Sequence, residues 1–146
     1  MRKVEPIRDT DDIERMKDYL KDKNERDYVL MVTGLYSGMR ISDILPLKVK
    51  SVKGSHIEVT ERKTGKTKKF AINPALRRAL DHYIKENDLK DYDYLFPSRK
   101  KVNSEGLRIT HIGRGAAYQI LRDAGEHTGL TNIGTHSMRK TFGYHH

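Results

Sequence analysis

The chain contains no cysteine. Disulfide bonds, thiolate zinc sites and a cysteine nucleophile are thereby excluded. No apolar run approaches the roughly 20 residues that cross a bilayer. The first ten residues are charged and hold no apolar signal region. There is no internal repeat, low-complexity tract or long linker. These absences set the expectation of a cytoplasmic protein with no membrane partner. Carboxylates are outnumbered: 20 Asp and Glu face 29 Lys and Arg, a formal net charge of +9. A surplus that large calls for a polyanionic partner, nucleic acid first.

What is present fits one domain. The chain has 146 residues, 36% hydrophobic and 34% charged, against roughly 25% charged in an ordinary globular domain. That length buries a core without covalent staples. Ile13, Met16 and Leu20 recur at helical spacing after Thr10. Tyr28, Val29, Val32, Leu35 and Tyr36 make the apolar face of a helix over about Glu25 to Ser37, with Gly38 as its stop. A short helix follows from Ile41 to Leu45, ended by Pro46. Lys48 to Val52, His56 to Arg62 and Lys68 to Ile72 read as strands. Lys63-Thr64-Gly65-Lys66 is a turn with glycine where a positive φ is useful. Asn73 and Pro74 open another helix. Residues 87–109 form a long connection, then helices are expected over about Thr110 to Ala124 and from His136. The fold class is α+β, mostly helical with a small three-stranded antiparallel sheet.

Three segments could carry chemistry. Arg40 sits at a glycine-marked helix junction, where its fork can face a phosphate; alone, it reads first as a surface arginine paired with Asp43. His136 and Arg139 stand three apart and share one helix face. Imidazole trades protons near neutral pH and guanidinium holds two phosphoryl oxygens, a pair suited to phosphoryl transfer. Taken alone, that pair is a solvated face. Lys63 and Lys66 flank the hairpin tip, where an ammonium group can enter a DNA groove or protonate a leaving oxygen. His145 and His146 could be drawn with His127 or His136 as a metal site, but adjacent helical residues diverge and no carboxylate is placed to help. No metal and no cofactor is expected.

Together these segments are more specific than any one. Gly-x-Arg-x-x-Asp after a helix, a Lys-Thr-Gly hairpin, Tyr-Leu-Phe-Pro-Ser and then Thr-His-x-x-Arg-Lys-Thr-Phe follow in order. This order resembles the catalytic domain of the tyrosine recombinases, the phage integrase family. Ser37 to Leu47, Tyr94 to Ser98 and Gly134 to Gly143 carry most of the resemblance.

The resemblance implies metal-free breakage and rejoining of double-stranded DNA, for recombination or integration of a mobile element, through a 3′-phosphotyrosyl intermediate. It maps the two phosphate-neutralising arginines onto Arg40 and Arg139 and the motif histidine, an acid/base or phosphate ligand, onto His136. The acid for the leaving 5′-oxygen maps onto Lys63, with Lys66 as the alternative, and a buttressing acid maps onto Asp43. It implies other recombinase subunits as partners.

Two family elements have no counterpart in the sequence: the site's second His or Trp, and the nucleophilic tyrosine. Tyr144 is too close to Arg139, and Tyr92, Tyr94 and Tyr118 lie off the motif. Residues 1–146 therefore read as a single, partial catalytic domain lacking its C-terminal helices, inactive alone and prone to self-association through the surface those helices would cover. The alternative is a non-catalytic DNA-binding module that regulates recombination. An RNA-binding domain is a weaker alternative, since the aromatic motifs of common RNA modules are absent.

Overall fold

The sequence between Tyr28 and Ser37 is apolar on nearly every side, and a helix of that kind must be buried all round. In the computed structural model, α2 (Glu25–Ser37) is the central helix, with Val29 to Leu35 all buried. The structure describes residues 7, 9–61, 63–98, 104–105, 110–130 and 133–145, with the backbone alone at 135, 136 and 143–145. Of residues 1–9, two are thus described, Ile7 and Asp9. Lys100, Lys101 and His146 lie outside the described residues, as do the side chains of His136, Tyr144 and His145.

α1 (Thr10–Lys23) begins where Asp9 accepts the Asp11 N–H at 2.8 Å, and it buries Met16 and Leu20 against α2. The short α3 (Ile41–Ile44) follows α2. α4 (Pro74–Glu86) starts at Asn73, which accepts the Leu76 N–H at 2.8 Å, and turns Leu76, Leu80 and Tyr83 inward. α5 (Arg114–His127) lies on α1: Tyr19 and Lys23 both bond Asp123, at 2.7 and 2.9 Å. α6 (Thr135–His145) packs on α2. β1 (His56–Thr60) and β2 (Thr67–Ala71) form an antiparallel hairpin in register from His56↔Ala71 to Thr60↔Thr67. No helix among the described residues is long and apolar enough to cross a membrane.

The structure corrects two expectations. Among the described residues the sheet has two strands, not three. Val49–Val52 is a 3-10 turn, entered through a single bridge between Lys48 and Tyr94. Val49 and Val52 are both buried. Their spacing of three puts them on one side of a 3-10 turn, whereas a strand would send them to opposite faces. The second correction concerns α5, which starts later than Thr110 and runs past Gly125. His111 is held extended by its bridge to Pro97. Gly125 is a packing residue: a Cβ there would lie 3.0 Å from Ile133. The chain turns at Gly129, with φ +82°.

The connection after α4 is pinned by Tyr83, whose buried hydroxyl donates to the Leu95 carbonyl at 2.7 Å. Tyr83→Phe leaves that carbonyl without this donor. We expect a loss of about 1–3 kcal/mol in a urea melt; an unchanged midpoint would mean another donor takes its place.

Candidate active site

Arg40 owes its position to the end of α2. Gly38 ends the helix in the left-handed region, φ +72°, with its N–H on the Gly34 carbonyl at 3.1 Å. The next residues alternate sharply: Met39 and Ile41 are buried and Arg40 between them is exposed. Two buried neighbours clamp the backbone while the guanidinium reaches solvent. The Arg40 carbonyl accepts the Asp43 and Ile44 N–H groups at 2.9 and 3.1 Å, closing the turn into α3. Asp43 is half-buried, and among the described residues no ion pair joins it to Arg40.

Arg139 is held by α6. A Cβ on Gly34 would lie 2.8 Å from the Met138 side chain, and one on Gly38 would lie 2.5 Å from the Phe142 ring. Each contact advances four residues on both helices, so α6 runs beside α2 in the same direction. Only glycine at these two positions permits so close an approach. Ser137 and Thr141 complete the buried face. Ser137 Oγ accepts the Gly134 N–H at 3.0 Å, and Thr141 Oγ1 accepts the Ile7 N–H at 2.8 Å. Arg139 and Lys140 face outward. The backbone of His136 lies in the first turn of α6, next to Ser137.

The hairpin tip carries Lys63 and Lys66, both exposed. Gly65 has φ +67° and donates its N–H to the Glu61 carbonyl at 2.9 Å, while the Glu61 N–H reaches the Lys66 carbonyl at 2.8 Å. The Glu61 carboxylate bonds Lys68 Nζ at 2.8 Å and the Thr64 hydroxyl at 3.2 Å. Those two bonds, Lys68 first, hold it below the usual carboxylate range, and the Arg40 charge adds to the effect. Arg40 and the hairpin therefore share one electrostatic neighbourhood.

Pairing separates these cations from most others. Lys68, Lys69, Arg77, Lys90 and Arg122 each meet a carboxylate. Lys53 pairs with Asp91, and Lys48 and Lys50 lie over the rings of Tyr94 and Tyr92. Among the described residues, the side chains of Arg40, Lys63, Lys66 and Arg139 make no ion pair or hydrogen bond. Exposed guanidinium and ammonium groups without internal partners keep their donors for an external anion. Also among the described residues, no group of three or more His, Asp or Glu stands close enough to hold a metal ion. Sequence reasoning missed Glu61. Its one signal was isolation: residues 61–69 hold five Lys and Arg and no other carboxylate.

The model of the phage integrase family matches residues 8–145. A probable integrase/recombinase of Bacillus subtilis, YoeC, is 46% identical over 143 residues, covering 97% of this chain and 74% of that protein. The crystal structure of XerA recombinase superposes with a TM-score of 0.73 at 23% identity, over 97% of this chain and 50% of that one. The XerH site-specific recombinase, solved bound to its difH substrate in a pre-cleavage complex, gives a TM-score of 0.68 at 18% identity, over 97% and 43%. The chain thus spans half or less of the length of these two solved recombinases.

Proposed function

This chain belongs to the phage integrase family, and on that premise we propose that residues 1–146 are most of the catalytic domain of a tyrosine recombinase acting on duplex DNA. The observation that carries the reading is that the cations of the three motif segments, Arg40, Lys63, Lys66 and Arg139, are all exposed and internally unpartnered; among the described residues Arg78, Lys85 and Arg114 are so too, but lie outside those segments. Arg40 and Arg139 stand on elements locked together through Gly34 and Gly38.

The chemistry follows from the charge. When a tyrosine oxygen attacks a DNA phosphate, negative charge gathers on the nonbridging oxygens. Arg40 and Arg139 neutralise it: their backbones are set by the end of α2 and by α6, and their free guanidinium donors close on the phosphate. Lys63, or Lys66 on the other side of the hairpin tip, protonates the leaving 5′-oxygen. His136 acts as acid/base or as a phosphate ligand, and Asp43 buttresses the Arg40 turn. The 3′-phosphotyrosyl link conserves the phosphodiester bond energy for rejoining to a new 5′-hydroxyl. No tyrosine of residues 1–146 is assigned as the nucleophile. In this reading the attacking group belongs to a longer enzyme, and the 146 residues alone bind DNA without cutting it. Partner recombinase subunits on the same DNA, association through the far end of α6 and a cytoplasmic location belong to the same proposal.

Salt dependence tests the DNA contact. Each phosphate neutralised releases counterions and adds about −0.9 to the slope of log K against log salt. With four cations engaged, the slope is expected near −3.6 or steeper. Lys63→Ala and Lys66→Ala should each flatten it by about one. A slope near zero would sink the DNA reading altogether. Trapping a covalent adduct on nicked duplex with the whole enzyme tests the chemistry; binding with no adduct would favour a non-catalytic module.

A further inference from the structure

We propose that Glu61 is a positioning residue: it shapes the Lys63–Lys66 turn so that an ammonium group meets the leaving 5′-oxygen. The inference rests on the hairpin lysine being the proton donor.

Glu61 gathers more of the tip than any other described residue. Its backbone closes the loop on both sides, through the Gly65 N–H and the Lys66 carbonyl. Its carboxylate takes the Thr64 hydroxyl at 3.2 Å, and Thr64 Oγ1 in turn accepts the Lys66 N–H at 3.2 Å. The second carboxylate oxygen holds Lys68 at 2.8 Å, tying the tip to β2. A single chain of bonds thus runs from Lys68 through Glu61 and Thr64 to the backbone of Lys66, around the loop that presents Lys63. Without that carboxylate, residues 62–69 carry five Lys and Arg and no acidic residue, with Lys69 alone of the described lysines there still paired, to Glu58 at 3.6 Å. Like charges at such spacing spread a loop instead of shaping it.

Stability is a poor explanation for the arrangement. Ion pairs on an exposed hairpin contribute little to folding. What the bonds do supply is geometry, and misplacing a catalytic group by about 1 Å can cost on the order of 10²-fold in rate. In the step itself the phenolic oxygen bonds to phosphorus and the P–O5′ bond breaks. Its electron pair stays on O5′, which takes a proton from the lysine ammonium. The phenolic proton passes to His136 or solvent.

The test compares two DNA substrates with the whole enzyme: ordinary phosphodiester, and one with sulfur replacing the bridging 5′-oxygen. A thiolate, with a thiol pKa near about 8.5, leaves without a proton. Lys63→Ala, or Lys66→Ala if that lysine is the donor, should lose about 10²–10⁴-fold on the oxygen substrate and recover on sulfur. Glu61→Ala should lose about 10–10²-fold on oxygen, with DNA affinity no weaker and melting temperature unchanged, and cleave the sulfur substrate at the parent rate. Glu61→Gln, whose amide oxygen still accepts from Thr64, should fall between.

Equal losses of Glu61→Ala on both substrates would overturn the proposal, placing its effect on Arg40 or on the fold. No loss on oxygen would overturn it too. If neither lysine variant recovers on sulfur, the proton-donor assignment itself fails and this inference falls with it. If a lysine variant recovers and Glu61→Ala does not, the assignment stands and Glu61 alone is removed.

Discussion

Arg40→Ala and Arg139→Ala, each in the whole recombinase, are expected to lose covalent adduct formation by about 10²–10³-fold, the effect of removing one fixed donor to a developing oxyanion, about 2.7–4 kcal/mol. DNA binding should fall far less, because each arginine is one phosphate contact among several. The double variant should lose less than the product of the single losses, since both groups act on one phosphate. Arg40→Lys should recover only part of the rate. An ammonium group is a point charge, while the guanidinium fork matches two oxygens at once. Single-turnover cleavage on nicked duplex measures all four. Full cleavage by either alanine variant would remove that arginine from the site.

The second large effect is structural. Gly38→Ala meets two costs. A non-glycine residue at φ +72° costs about 1–3 kcal/mol of backbone strain. The new methyl would also lie 2.5 Å from the Phe142 ring, and overpacking a filled site costs typically about 1–3 kcal/mol more. Gly65→Ala is the control. Its φ is +67°, yet nothing stands within 4 Å of a Cβ there, so it meets the backbone cost alone. In paired urea melts Gly38→Ala should be the less stable variant by the overpacking difference. It should also lose hydrogen-exchange protection along α6, since that helix must move to admit the methyl. Equal destabilisation by the two variants would show that α6 does not press on Gly38 in solution.

Much of this was legible before any coordinates. α2 spans Glu25–Ser37, where the apolar run and Gly38 placed it. Asn73 and Pro74 open α4 for the reason their chemistry suggested: a side-chain acceptor for an orphan N–H, then a ring with no N–H to lose. The hairpin turns at Gly65. Where local rules failed, a distant partner had intervened. Lys48 to Val52 has strand composition, but Val49 and Val52 both turn into the core while the Val49 N–H is taken by the Asp93 carbonyl at 3.0 Å. Gly125, just past the expected helix end at Ala124, lies inside α5, where its missing side chain makes room for Ile133. The α5 boundary was misplaced because a glycine that admits a neighbour and one that ends a helix are the same letter.

The sequence by itself determined the types of group available and their order: two arginines, a hairpin with two lysines, a histidine three residues before the second arginine, and a surplus of positive charge. Those properties are local, set by side-chain chemistry and by the 3.6-residue period. Only the tertiary structure decided that α6 lies along α2, because that depends on Met138 and Phe142 finding the gaps at Gly34 and Gly38 across about a hundred residues of chain. It alone brought Glu61 into the field of Arg40. It alone separated the cations that meet an internal carboxylate from those that do not. Pairing is a matter of distance in space, and a charge list read along the chain contains none.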